Sequence, residues 1–181
     1  MPSSASVLVV EDNETLRRLL DYRLGKLFSV RVAENGKEAL RMIGERVPDL
    51  VVSADVMPVM DGHSLLSEVR STPEWQGIPF IFLAGSTDDD SAREWLRNGA
   101  DAYITKPFDL NALILKIGST ITESRERRGM TSFDLYLDPS DATPAEIAEL
   151  YAALSDLQRA HGGAGLELVD GSVDAYTIEA L

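Results

Sequence analysis

Cysteine is absent from the 181 residues, which excludes disulfides, thiolate metal ligands and a cysteine nucleophile. Histidine occurs only as His63 and His161. The two lie far apart and suggest no metal site: His63 reads as an exposed residue at a helix start, and His161 as a helix C-terminal residue. No apolar run approaches the roughly 20 residues that a membrane-crossing helix needs. The opening MPSSAS has no basic segment followed by an apolar one, so no signal peptide is read there. A soluble cytoplasmic protein without membrane contact is expected. Basic residues are in short supply, with 17 Lys and Arg against 30 Asp and Glu and a net charge of −13. That balance argues against a nucleic-acid surface. The deficit is concentrated in residues 129–181, which hold ten acids and one base, Arg159. Phosphate would repel such a tail, so no DNA-binding unit is expected within the chain. No Gly-rich phosphate loop, Walker pattern or Ser-His-Asp order is visible.

What is present is organised around Pro48–Gly62, PDLVVSADVMPVMDG. An apolar run leads into Asp55, and a Met-Pro turn and Asp61-Gly62 follow. A short β-rich run with both faces apolar reads as a central strand of a parallel sheet. Loops at the carboxyl ends of such strands build the site. Two other strand ends carry polar groups: Val7–Val10 runs into Glu11-Asp12, and Tyr103-Ile104-Thr105 runs into Lys106-Pro107.

The rest of the chain alternates strand and helix. Asp12 or Asn13 caps a helix with the stripe Leu16, Leu19, Leu20 and Leu24. Phe28–Ala33 is a strand, and Gly36–Arg46 a helix with Ala39, Leu40 and Ile43 inward. The helix after Gly62 carries Leu65, Leu66 and Val69, and Pro73 ends it. Pro79–Leu83 is a buried strand. Asp88–Asp90 start a helix with Trp95 and Leu96 inward, while Trp75 reads as a packing or interface residue. Ala102–Thr105 is strand five. Asp109 caps a last helix through Leu113, Ile114, Ile117 and Ile121. Five strand-helix repeats imply a parallel sheet covered on both faces.

Residues 123–131 lose the apolar stripe and read as a solvated helix extension or linker. A small acidic β-α-β unit at 132–181 follows: strand Phe133–Leu137, a capping box at Thr143-Pro144-Ala145-Glu146, a stripe through Ile147, Leu150, Tyr151, Leu154 and Leu157, and strands at Leu166–Val169 and Val173–Ile178. About fifty residues bury little core alone. The unit is therefore expected to pack on the first domain, to pair with another copy, or to begin a larger domain.

The elements VLVVEDN at 7–13, PDLVV at 48–52, MPVMDG at 57–62 and GADAYITKPFD at 99–109 together resemble the receiver domain of two-component response regulators. The resemblance covers roughly residues 5–122, taken as a receiver domain at 1–122. It implies a flavodoxin-like five-stranded sheet in the order 2-1-3-4-5. It also implies Mg²⁺ held by Asp12 directly, by Glu11 through water and by the Val56 carbonyl. Lys106 would pair with the acceptor carboxylate and phosphate, Pro107 would be cis, and Tyr103 would be the aromatic switch residue. A sensor histidine kinase or another signalling protein is the implied partner, and a homodimer is expected.

Two positions depart from the family pattern. Its acceptor aspartate lies six residues after the Pro before the strand and four before the Pro of the Met-Pro turn; both counts reach Ala54 here, with Asp55 one place later. Strand side chains alternate, so a one-residue offset turns a carboxylate away from the pocket. The family's Thr or Ser after the fourth strand is Ala84. Three explanations stay open: a natural pseudo-receiver, an alanine substituted to block phosphorylation, or a loop rearrangement that lets Asp55 accept the phosphoryl group. Ala84 favours the first, since a single blocking substitution would leave the switch Thr or Ser in place. Mg²⁺ is expected to bind weakly or not at all. The output is expected to be protein contact without enzymatic activity. The competing reading is a Mg²⁺-dependent phosphoryl-transfer or hydrolysis enzyme using Glu11, Asp12 and Asp55.

Overall fold

Leu50–Ala54 is the strand that the sequence places at the centre, and all five of its residues are buried. Such a strand needs neighbours on both edges and cover on both faces. In the computed structural model, which describes residues 5–85 and 95–127 together with short strands at 132–135, 165–168 and 176–179, it has both. Strands β1 (Ser6–Val10), β2 (Ser29–Ala33), β3 (Leu50–Ala54), β4 (Phe80–Ala84) and β5 (Ala102–Thr105) form one sheet in the order β2-β1-β3-β4-β5. All four pairings are parallel.

Period-two alternation divides the sheet residues between two cores. Val7, Val9, Leu50, Val52, Ile81 and Leu83 pack with Leu20 and Leu24 of helix α1 (Glu14–Leu24) and with Leu113, Ile117 and Ile121 of helix α4 (Leu110–Arg127). Leu8, Val10, Val51, Phe80 and Phe82 pack with Ala39 and Ile43 of α2 (Gly36–Glu45) and with Leu65, Leu66 and Val69 of α3 (Gly62–Ser71). Asn13, Asn35 and Asp61 cap the first three helices, each accepting from a backbone N–H three residues on, which satisfies a donor the helix leaves open. Asp109 does the same for Ala112 at the start of α4.

Two inward assignments are corrected. Leu19 is 48% exposed and Leu96 is 45% exposed. In α1 the buried stripe is the narrower pair Leu20 and Leu24, so Leu19 lies beyond its edge. Residues 95–97 are helical with Trp95 buried, and its neighbour Leu96 turns outward; consecutive helix positions do not share a face. The start of that helix lies outside the described residues.

The last helix runs on to Arg127, with Thr120, Ile121 and Ser124 buried. Arg125 pairs with Asp49 at 3.0 Å and Arg127 with Asp101 at 3.1 Å. Asp49 precedes β3 and Asp101 precedes β5, so the helix end is fastened to the amino-end rim of the sheet, opposite the polar strand ends. Polar residues here face protein rather than water alone, so the turn is not a fully solvated one. Asp49 also accepts from the Ser6 backbone N–H and hydroxyl, and Asp101 accepts from Phe80 N–H and Arg70.

The strands β6 (Ser132–Leu135), β7 (Gly165–Leu168) and β8 (Tyr176–Glu179) form a second, antiparallel sheet in the order β6-β8-β7. Ile178 lies opposite both Phe133 and Leu166. The helix expected from residue 143 lies outside the described residues.

Burial opposes ionisation of Asp49, but its bonds from Ser6 and Arg125 outweigh that and hold its carboxyl below the usual carboxylate range. A depressed native pKa adds stability that is present above the unfolded-state value and is lost as pH falls through the native one. Asp49→Asn is therefore expected to cost about 1–2 kcal/mol at neutral pH. Urea unfolding should then find the gap between the two proteins narrowing as pH falls from the unfolded-state pKa of about 3.9 and closing only below the lower native one.

Candidate functional site

The strand order puts β1 at the point where the chain turns from one half of the sheet to the other, the place where open α/β sheets keep their sites. Glu11 follows β1, Asp55 follows β3, Ala84 ends β4, and Lys106 follows β5. Parallel pairing brings these ends to one rim: Val10 lies beside Ser53, Ala54 beside Leu83, and Ala84 beside Thr105.

Glu11 is the buried acid of the group, 1% exposed, whereas Asp12 is exposed. The Lys106 ammonium donates to Glu11 Oε2 at 2.6 Å, and the Asn13 N–H donates to Oε1 at 3.2 Å. This differs from the partner implied for Lys106 by the family pattern. With alanine at residue 54 the lysine does not go unpaired: it relieves the charge of Glu11, so the acid pair does not need an outside cation for that. A buried carboxylate this close to an ammonium forms a charge-assisted bond. The Lys106–Pro107 peptide is cis.

Ala54 is buried at 1% and belongs to the apolar cluster of Met57, Phe82 and Ala84. The Asp55 backbone continues the ladder, its N–H donating to the Leu83 carbonyl at 3.3 Å and its carbonyl accepting from Gly62 N–H at 2.9 Å. The Asp55 carboxylate accepts a long 3.4 Å bond from the Gly85 N–H, in the segment after β4. Val56 is exposed. Among the described residues no three His, Cys, Asp or Glu side chains gather to hold a metal ion. Glu11 has both oxygens engaged and Asp55 is turned to Gly85, which leaves Asp12 and backbone carbonyls. That donor set does not fit a resident Mg²⁺, which asks for several free hard oxygens in octahedral array.

Two contributors were not anticipated from the sequence. Arg17 donates to the carbonyls of Glu11 (2.8 Å) and Asp12 (3.1 Å) and pairs with Glu34 at 3.0 Å. It thereby braces the turn that carries the acids. No short motif marks such a residue; its place on the first turn of α1 is the only hint. Gly62 lets α3 start against β3: a Cβ there would lie 2.2 Å from the Ala54 carbonyl oxygen.

His63 is not simply exposed. It stacks on Phe82 at 5.0 Å and lies 5.4 Å from Trp95, which meets Tyr103 edge-on at 6.1 Å. An aromatic row therefore links the start of α3 to the half-exposed Tyr103 on β5.

Comparisons with known proteins identify the family and the fold. A family model of the response regulator receiver domain matches residues 7–118. Chemotaxis protein CheY of Halobacterium salinarum is 36% identical over 64% of this chain and 96% of its own length. Histidine kinase P4 of Formosa agariphila is 30% identical over 80% of this chain, which spans only 11% of that kinase. Among solved structures, the receiver domain of the Francisella response regulator 1452 matches at a TM-score of 0.63 and 30% identity, over 66% of this chain and 98% of that one. Among the described residues no helix is long and apolar enough to cross a membrane.

The loop between β3 and α3 stores strain at the rim of the site. Val59 sits at φ +69° while the Met60 N–H bonds to the Pro58 carbonyl at 2.8 Å. That is a tight three-residue turn of the strained kind, built on a β-branched residue. Its side chain is 78% exposed, so little packing is lost by removing it. Val59→Gly should stabilise the protein by about 1 kcal/mol, the relieved strain exceeding the added chain entropy of glycine. A rise in the urea midpoint with an unchanged denaturant slope is the expected reading.

Proposed function

The chain belongs to the response regulator receiver family, and from that premise we propose a two-component signalling module whose output is protein contact and whose residue 54 takes no phosphoryl group. The observation that carries this reading is Ala54 as the last residue of β3, buried at the same rim of the sheet as the ion-paired Glu11 and Lys106. Aspartyl-phosphate chemistry needs a carboxylate nucleophile and a fixed cation for the developing charge. A methyl group supplies neither attack nor a metal ligand. The neighbouring carboxylate of Asp55 bonds to Gly85, and the lysine is engaged elsewhere.

The signalling face proposed is the one around Trp95 and Tyr103, reached from the pocket side through His63 and Phe82. Its equilibrium would be biased by partner binding rather than by phosphate. A sensor histidine kinase or another cytoplasmic signalling protein is the proposed partner, in keeping with the kinases among the relatives. Residues 132–181 are proposed to support self-association or effector contact. Mg²⁺ is proposed to bind weakly or not at all, and no enzymatic turnover is assigned. The second reading, Asp55 as acceptor, draws on its being the one carboxylate at the carboxyl end of β3.

Incubation with radiolabelled acetyl phosphate and Mg²⁺ is expected to leave this chain unlabelled and to label an Ala54→Asp variant. Stoichiometric labelling of the unaltered chain, abolished by Asp55→Asn, would transfer the acceptor role to Asp55. Sedimentation of the full chain is expected to give a dimer; a monomer at all concentrations removes the self-association role.

A further inference from the structure

The pocket already contains a cation of its own. Glu11 is 1% exposed, and an ionised carboxylate at that depth requires a counter-charge. In a receiver pocket a divalent ion would share that duty, but here Lys106 Nζ lies 2.6 Å from Glu11 Oε2 and the Asn13 N–H takes Oε1. We propose that Lys106 is the built-in cation of this pocket, taking the place of a divalent ion as the partner of Glu11, so that Mg²⁺ adds no stability to this chain.

Four observations converge on it. The ammonium is held at the end of β5, where the Lys106 N–H bonds to the Ala84 carbonyl at 2.7 Å, so the base of the side chain is fixed beside the pocket. Both oxygens of Glu11 have partners in the protein. Residue 54 offers a methyl group where a third carboxylate would draw the lysine away from Glu11 or complete a metal shell. Asp55 directs its carboxylate to Gly85. A divalent ion drawn to Glu11, directly or through water, would have to share the carboxylate with the ammonium, a like-charge encounter in a partly desolvated site. The balance favours the residue that is already tethered there.

The inference rests on the receiver reading of this pocket, residue 54 included, but concerns what balances Glu11 and not where a phosphoryl group goes. Lysine and arginine both carry the needed charge, though only their shared charge matters here, not the fork geometry of arginine. Removing the charge leaves a buried carboxylate that a divalent ion can then satisfy.

Thermal unfolding in EDTA and in about 10 mM MgCl₂ tests this. The unaltered chain is expected to melt within about 1 °C in the two buffers. Lys106→Met is expected to melt lower in EDTA and to gain about 3 °C or more from Mg²⁺. Lys106→Arg should remain indifferent to Mg²⁺, and the double variant Glu11→Gln/Lys106→Met should lose the gain. A Mg²⁺-dependent rise in the unaltered chain, or none in folded Lys106→Met, overturns the proposal. Should Lys106→Met not fold, Mn²⁺ broadening of backbone amide signals decides: broadening around Glu11 and Asp12 in the unaltered chain overturns the proposal, and its absence supports it. Labelling by acetyl phosphate, which would overturn the reading of residue 54, leaves these melting curves unmoved.

Discussion

A carboxylate buried at the end of β1 is the constraint around which this molecule is arranged. Glu11 leaves β1 with almost no solvent access, so a positive group must reach it from another part of the chain. Lys106 comes from the far edge strand, ninety-five residues later in the sequence. The contact can form only if β3 and β4 lie between them in parallel with their ends level. Sheet order, the close start of α3 on Gly62 and the conformation at the end of β5 all serve to hold that geometry. An ion pair of this kind adds little net stability over a well-packed apolar pair, but losing one partner is costly. It therefore specifies an arrangement more than it strengthens one.

The strands were legible because they are short apolar runs ended by polar residues, and β3 and β5 fall where the sequence puts them. Helix positions were legible from the apolar stripe, as in α2 and α3. Leu19 and Leu96 show the limit of that reasoning. Hydrophobicity marks a residue as able to be buried, while the width of the covered stripe depends on what packs over it. The partner of Lys106 was also hidden, because a family pattern supplies a partner through an aspartate that this chain replaces with alanine. Once that carboxylate is gone the lysine pairs with Glu11, and no local pattern encodes the choice. The arginines near the end of α4 were read as solvated for a related reason. Their acids, Asp49 and Asp101, lie far away in sequence, and charge alone does not reveal a distant counter-ion.

The two rims of the sheet use charge differently. At the carboxyl rim a single lysine answers the buried acid, Arg17 answers Glu34, and Asp12 and Asp55 turn to solvent or to a backbone N–H group. At the amino rim Arg125 answers Asp49, and Arg70 and Arg127 answer Asp101, each cluster tied in with backbone donors or acceptors. The first arrangement bears on signalling chemistry and the second on holding the last helix in place. Between them the aromatic row from His63 to Tyr103 crosses the α3 side of the sheet, giving the site a packed route to the surface.

The fastening of α4 also sets where the chain can be cut. The family match ends at residue 118, yet the helix continues to Arg127 and its final turns neutralise two acids at the base of β3 and β5. A fragment trimmed to the family boundary would lose the buried Ile121 and Ser124 and leave Asp49 and Asp101 without these arginines. The part of this protein anchored to the sheet reaches past its homology, at least to Arg127.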